Sequence, residues 1–80
     1  MSYSVTFEPE SITDLDLITD FIRLRILNIN FEQIIPLPLT REWSGFYKLR
    51  VGDYRVIYEF DRESRIIITV RVGHRSEVYD

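Results

Sequence analysis

Apolar and polar residues first alternate at Tyr3–Phe7 (YSVTF), a β-rich run that predicts an opening strand. Pro9-Glu10-Ser11 ends it, and proline and glutamate suit a first helical turn that starts close to Glu8 or Ser11. Ile12, Leu15, Ile18, Phe21/Ile22, Ile26 and Ile29 then recur at spacings of three and four. This period predicts an amphipathic helix from Ser11 to Asn28, or a helical hairpin if the chain breaks at Ile18–Asp20. Asp14, Asp16, Asp20, Arg23 and Arg25 fill the polar remainder; the aspartates have no histidine or basic partner at ligand spacing and read as a solvated face. Pro36 and Pro38 make Phe31–Ser44 an extended connector, and Trp43 reads more readily as its plug onto the core than as a base-binding ring.

Three β runs follow: Phe46–Val51, Tyr54–Phe60 and Arg65–Val72. Gly52-Asp53 separates the first two as a tight hairpin loop, and Asp61–Ser64 forms the next turn. A two-residue loop pairs Val51 with Tyr54, Arg50 with Arg55 and Leu49 with Val56. One face then carries Tyr47, Leu49, Val51, Tyr54, Val56, Tyr58 and Phe60, which the helix would cover. The other carries Phe46, Lys48, Arg50, Arg55, Ile57 and Glu59. Continued through the third run, the alternation gives Ile66, Ile68, Val70 and Val72 to the apolar face and Arg65, Ile67, Thr69 and Arg71 to the polar one. Gly73 reads as a bend or bulge that ends the strand. The fold class expected is α+β: an antiparallel sheet of about four strands, mixed at the N-terminal strand, with a helix or helical hairpin on one face.

At 80 residues the chain fits a single domain spanning 1–80. It lacks cysteine and has one histidine, His74, so thiolate zinc sites, cysteine nucleophiles and multi-histidine metal sites are excluded. No apolar run is long enough to suggest a membrane span, and Met1–Phe7 has no secretion signal; the expected compartment is a reducing cytoplasm. The net charge of −3 argues mildly against a general nucleic-acid binder, but its distribution is uneven. Residues 1–40 carry net −4 and residues 41–80 net +1, and all the bases of the second half except Lys48 are arginine. Arginine's planar fork matches phosphate oxygens.

Like charges directly opposite in a sheet repel, so Arg50 against Arg55, flanked by Lys48, needs a reason. A solubilising face neutralised by Glu59, Glu42 or Asp53 is one. A surface that clamps a polyanion, with Arg65 or Arg71 nearby, is the other. The run Val72-Gly73-His74-Arg75-Ser76-Glu77-Val78-Tyr79-Asp80 adds a histidine, an arginine and a tyrosine beside the end of that sheet. Each has a plain structural reading as well: His74 as a surface histidine, Tyr79 as an anchor on the sheet edge.

The stretch Leu37-Pro38-Leu39-Thr40, then Ser44–Glu59 (SGFYKLRVGDYRVIYE), then Val72-Gly73-His74-Arg75 and Glu77-Val78-Tyr79, resembles the RelE/ParE toxin superfamily over nearly the whole chain. It is most similar to the RelE branch, ribosome-dependent mRNA endoribonucleases of type II toxin–antitoxin systems. Arg41 stands where the resemblance has a glycine, and Asn28–Phe31 is shorter than the family's second helix. The resemblance implies phosphate-binding roles for Lys48 and Arg50, and stabilisation of the scissile phosphate by Arg55. It implies leaving-group or phosphate contact by Arg75 and activation of the attacking 2′-hydroxyl by Tyr79. His74 competes for the role of base because its ordinary pKa lies near neutrality. Arg71 joins the expected RNA-binding set. The partners implied are a RelB-like cognate antitoxin, the ribosome and mRNA, with neither metal nor cofactor. A ParE-like gyrase inhibitor and a catalytically decayed antitoxin-binding module are the alternatives; retention of Lys48, Arg50, Arg55 and Tyr79 together favours the nuclease.

Overall fold

The computed structural model describes residues 4–30 and 34–74, Phe21 by its backbone alone. Strand β1 (Ser4–Phe7) leads into α1 (Pro9–Asp16) and α2 (Asp20–Leu27). A short strand β2 (Leu37–Pro38) and a 3₁₀ turn at Arg41–Trp43 precede the hairpin strands β3 (Tyr47–Val51) and β4 (Tyr54–Asp61), and β5 (Ile66–His74) closes the order. The helical period thus resolves into a hairpin, broken at Leu17–Thr19. Pro9 opens α1, where a missing amide proton costs nothing. The Ser11 hydroxyl, buried under the first turn, donates to the Glu8 carbonyl at 2.7 Å. No helix among the described residues is long and apolar enough to cross a membrane.

The five strands form one sheet in the order β1-β5-β4-β3-β2, one more than expected. β1 runs parallel to β5 and the other pairings are antiparallel, so the sheet is mixed at its N-terminal strand. The extra strand is the piece of connector at Leu37–Pro38, paired with Lys48 and Tyr47. Proline is tolerated there because β2 is an edge. Arg41, at the glycine-like position, has φ of 60°, the left-handed region where glycine avoids a steric penalty.

The hairpin register is as expected: Val51 faces Tyr54, Arg50 faces Arg55 and Leu49 faces Val56. Gly52 takes the first loop position with φ of 61°, the residue a type II′ turn selects. Leu15 and Ile26 from the helices and Val51, Val56 and Val72 from the sheet make the core, joined by Phe7, Ile18, Ile22, Ile29 and Leu49.

The alternation expected along β5 fails at one point. Ile57 pairs with Arg71 but Tyr58 pairs with Thr69, leaving Val70 as the extra residue of a β-bulge. Upstream of the bulge every side chain changes face, so Ile67 and Thr69 turn inward with Phe7, while Val72 beyond it still meets Val56. Ile67 and Thr69 are accordingly buried, against the sequence expectation. Nor does β5 stop at Gly73: that glycine pairs with Arg55, and the strand continues to His74 opposite Tyr54.

Candidate functional site

The β3–β4 hairpin builds the basic face. Leu49, Val51 and Val56 are committed to the helix side, so strand alternation turns Lys48, Arg50 and Arg55 to the other side. Arg50 and Arg55 are direct cross-strand partners, and Lys48 lies opposite Ile57 on the same face. Gly73 is the β5 partner of Arg55, so the position directly opposite it on that strand carries no side chain.

The sequence predicted an uncovered face, and the structure corrects this. Arg50 is exposed and Lys48 half-buried, but Arg55 is only 5% exposed and Ile57 beside it 0%. Arg55 Nη1 donates to the Tyr54 carbonyl at 3.3 Å. A guanidinium held out of water interacts with an arriving anion more strongly than a solvated one, since less solvent screens the charge. Arg55 is therefore the inner cation of the face, and Arg50 and Lys48 form its accessible rim.

Arg71 has the register of this face, opposite Ile57, but its guanidinium is engaged by Asp14 of α1. Its Nε and Nη2 donate to Asp14 Oδ2 at 2.8 Å and Oδ1 at 3.2 Å, a two-pronged ion pair between β5 and α1. Asp14 Oδ2 also accepts from the Val72 amide at 2.9 Å. The bond to Asp14 and its negative charge hold the Arg71 pKa above the ordinary guanidinium value. Two expectations change together: Asp14, read as a solvated helix residue, is the anchor of β5, and Arg71, read as a phosphate ligand, has its charge compensated within the fold. No local signal pairs residues 57 positions apart.

His74 lies on the other side of the sheet from Arg55. Its β4 partner Tyr54 shares a face with Val51, and the two rings meet edge-on, with centroids 5.7 Å apart. They line an open cleft of about 260 Å³ with Asp14, Ile18, Arg71 and Val72. Lys48, Arg50 and Arg55 are thus brought together, and His74 is not brought to them. Arg75 and Tyr79 lie outside the described residues.

This arrangement of a helical hairpin on one face of a mixed sheet is shared with the solved toxins of RelBE systems. The toxin chain of the RelBE2 toxin–antitoxin complex from Mycobacterium tuberculosis superimposes with a TM-score of 0.83 at 28% identity, covering 96% of this chain and 95% of the other. The RelB–RelE antitoxin–toxin complex of Methanococcus jannaschii gives 0.70 at 28%, covering 94% and 95%. The chain belongs to the family of ParE toxins of type II toxin–antitoxin systems (parDE), which it matches over residues 5–79. Toxin RelG of Mycobacterium tuberculosis is 29% identical over 85 residues, spanning 99% of this chain and 98% of RelG.

Proposed function

We propose that this toxin is a ribosome-dependent, metal-independent mRNA endoribonuclease that inhibits translation in the cytoplasm, held inactive by a RelB-like cognate antitoxin. The observation that carries the reading is the alignment of Arg50 opposite Arg55, with Lys48 beside them and glycine as the remaining neighbour. Repulsion between these cations is relieved by a bound phosphate. The likeness to toxin chains of RelBE complexes supports the antitoxin.

The 2′-hydroxyl of the substrate attacks its own phosphate in line, leaving a cyclic phosphate and a 5′-hydroxyl. Arg55 stabilises the charge that builds on the phosphorane, and Lys48 and Arg50 hold the flanking phosphates. Arg75 contacts the phosphate or leaving group. Tyr79 activates the nucleophile by taking the proton of the 2′-hydroxyl. We assign this role to Tyr79 over His74, because the imidazole is turned toward Tyr54 on the helix side. So small a basic set orients mRNA only with the ribosome's help.

The test is cleavage of mRNA on programmed ribosomes. Tyr79→Phe should bind ribosomes yet cleave roughly 10²–10⁴-fold more slowly, the usual worth of acid–base catalysis. Arg55→Ala should lose far more activity than Arg62→Ala, whose side chain lies in a turn over Phe60. Full activity in Tyr79→Phe with loss in His74→Ala would make the histidine the base. An inert wild type that instead traps gyrase on cleaved DNA would overturn the nuclease reading.

A further inference from the structure

The parallel partner of β5 ends early. β1 pairs with Ile66–Thr69 only, and the Glu8 amide makes the last backbone bond to β5, to the Thr69 carbonyl at 2.8 Å. Past Thr69 come the bulge and then Arg71–His74, with no strand beyond them among the described residues. A strand released from its neighbour just after a bulge is free to slip or fray. Asp14 lies at this point. Its carboxylate accepts the Val72 amide, as a neighbouring strand's carbonyl would, and its two bonds to Arg71 fix the direction of the pull. The Asp14 side chain is 13% exposed and the Arg71 side chain 43%, so the pair is partly shielded from water. Exposed ion pairs contribute little to stability, but a charged acceptor bonded to a backbone amide and a guanidinium fork defines geometry.

We propose that Asp14 is a positioning residue for the phosphate-binding face: it holds Val72–His74 in register against Tyr54–Val56, so that Gly73 lies beside Arg55 and the guanidinium keeps its alignment with Arg50. Arg71 is the second half of this clamp and does not contact RNA. The inference rests on the nuclease reading for its effect on activity, but the clamp has a readout of its own.

The experiment compares Asp14→Ala, Asp14→Asn and, as control, Asp16→Ala on the exposed side of α1. Backbone amide exchange and single-turnover cleavage on programmed ribosomes are measured with folded protein. The Val72 amide, which loses its acceptor, and the Gly73 amide, which faces β4, should exchange at least tenfold faster in Asp14→Ala than in the wild type, while amides in β3 keep their rates. The cleavage rate should fall by roughly 10- to 100-fold with an unchanged KM for the ribosome complex, as expected when a catalytic group is misplaced rather than removed. Asp14→Asn, which keeps one acceptor, should lie between and serves if the alanine variant does not fold. Arg71→Lys should keep the KM, since no RNA contact is lost. Unchanged exchange at Val72 and wild-type cleavage in both Asp14 variants would overturn the proposal. So would an activity loss fully matched by the fraction of unfolded protein. A wild type inert on ribosomes sinks the nuclease reading alone, and the exchange data still decide the clamp.

Discussion

Thr69 carries a hydroxyl into the interior between sheet and helices because the bulge at Val70 reverses the face of everything before it. The residue is 1% exposed, and its Oγ1 has no hydrogen-bond partner among the described residues. A buried, unsatisfied hydroxyl costs more than an isosteric methyl group. Thr69→Val should therefore stabilise the protein by about 1 kcal/mol, raising the unfolding midpoint by roughly 4–8 °C for a domain of this size. A thermal or urea melt in which this variant is less stable than the wild type would mean that the hydroxyl is bonded. The same reversal explains why Ile67, given to the polar face by simple alternation, belongs to the interior. Arg55 is the opposite case, since its pairing is legible from the loop length while its burial depends on what the tertiary fold sets over it.

Turns govern the elements around the site. Asp61 ends β4, and its Oδ1 accepts the Glu63 and Ser64 amides at 2.9 and 3.2 Å while Oδ2 accepts the Ser64 hydroxyl at 3.2 Å. These bonds favour the ionised carboxylate, and those from Ser64 lead in holding the Asp61 pKa below its ordinary value. A depressed carboxyl pKa contributes stability above the unfolded-state value, and that contribution disappears as pH falls through the lower folded-state value. The stability difference between wild type and Asp61→Ala should thus be full at neutral pH and shrink in acid, where melts of the two should converge. A difference independent of pH would assign the effect to something other than the charge. Arg65, with φ of 56°, completes this turn in the left-handed region and sets where β5 begins, hence the register that the bulge later corrects.

At the scale of the whole molecule, the helical hairpin leaves large apolar side chains exposed: Ile12 50%, Leu24 56% and Leu27 50%, with Leu17, 80% exposed, lining the cleft beside His74. The helix face that meets the sheet is already satisfied by Leu15 and Ile26, so these residues are surplus to folding. An antitoxin that wraps the toxin with an amphipathic segment would use them as anchors. Leu24→Glu should leave the melting temperature nearly unchanged and weaken antitoxin binding by 2 kcal/mol or more, the rough threshold of an interface hot spot, measured by calorimetry on the purified pair. Equal affinity would locate the antitoxin elsewhere, with the basic face as the next surface to test. The net charge of −3 does not oppose a role on ribosomal mRNA, because the bases gather in the second half of the chain and the rim cations among them share one side of the sheet.

The sequence by itself determined the helical period, the tight Gly52-Asp53 hairpin, and with it the pairing of Arg50 with Arg55 and the turning of Lys48 to the same face. Each follows from contacts between neighbours in the chain, where side-chain period and loop length leave one solution. The resemblance carried by the GDYR turn and the terminal GHR pointed to the toxin superfamily before any coordinate was needed. Only the tertiary structure decided the rest: the fifth strand at Leu37–Pro38, the bulge that turns Thr69 inward, the burial of Arg55, the helix-side position of His74, and the bonds that Arg71 donates to Asp14. These depend on which surfaces meet after the chain has turned back on itself. An extra residue in one strand changes no composition and no local propensity, yet it reverses every side chain before it. An ion pair closed across 57 positions leaves no trace in the spacing of either partner.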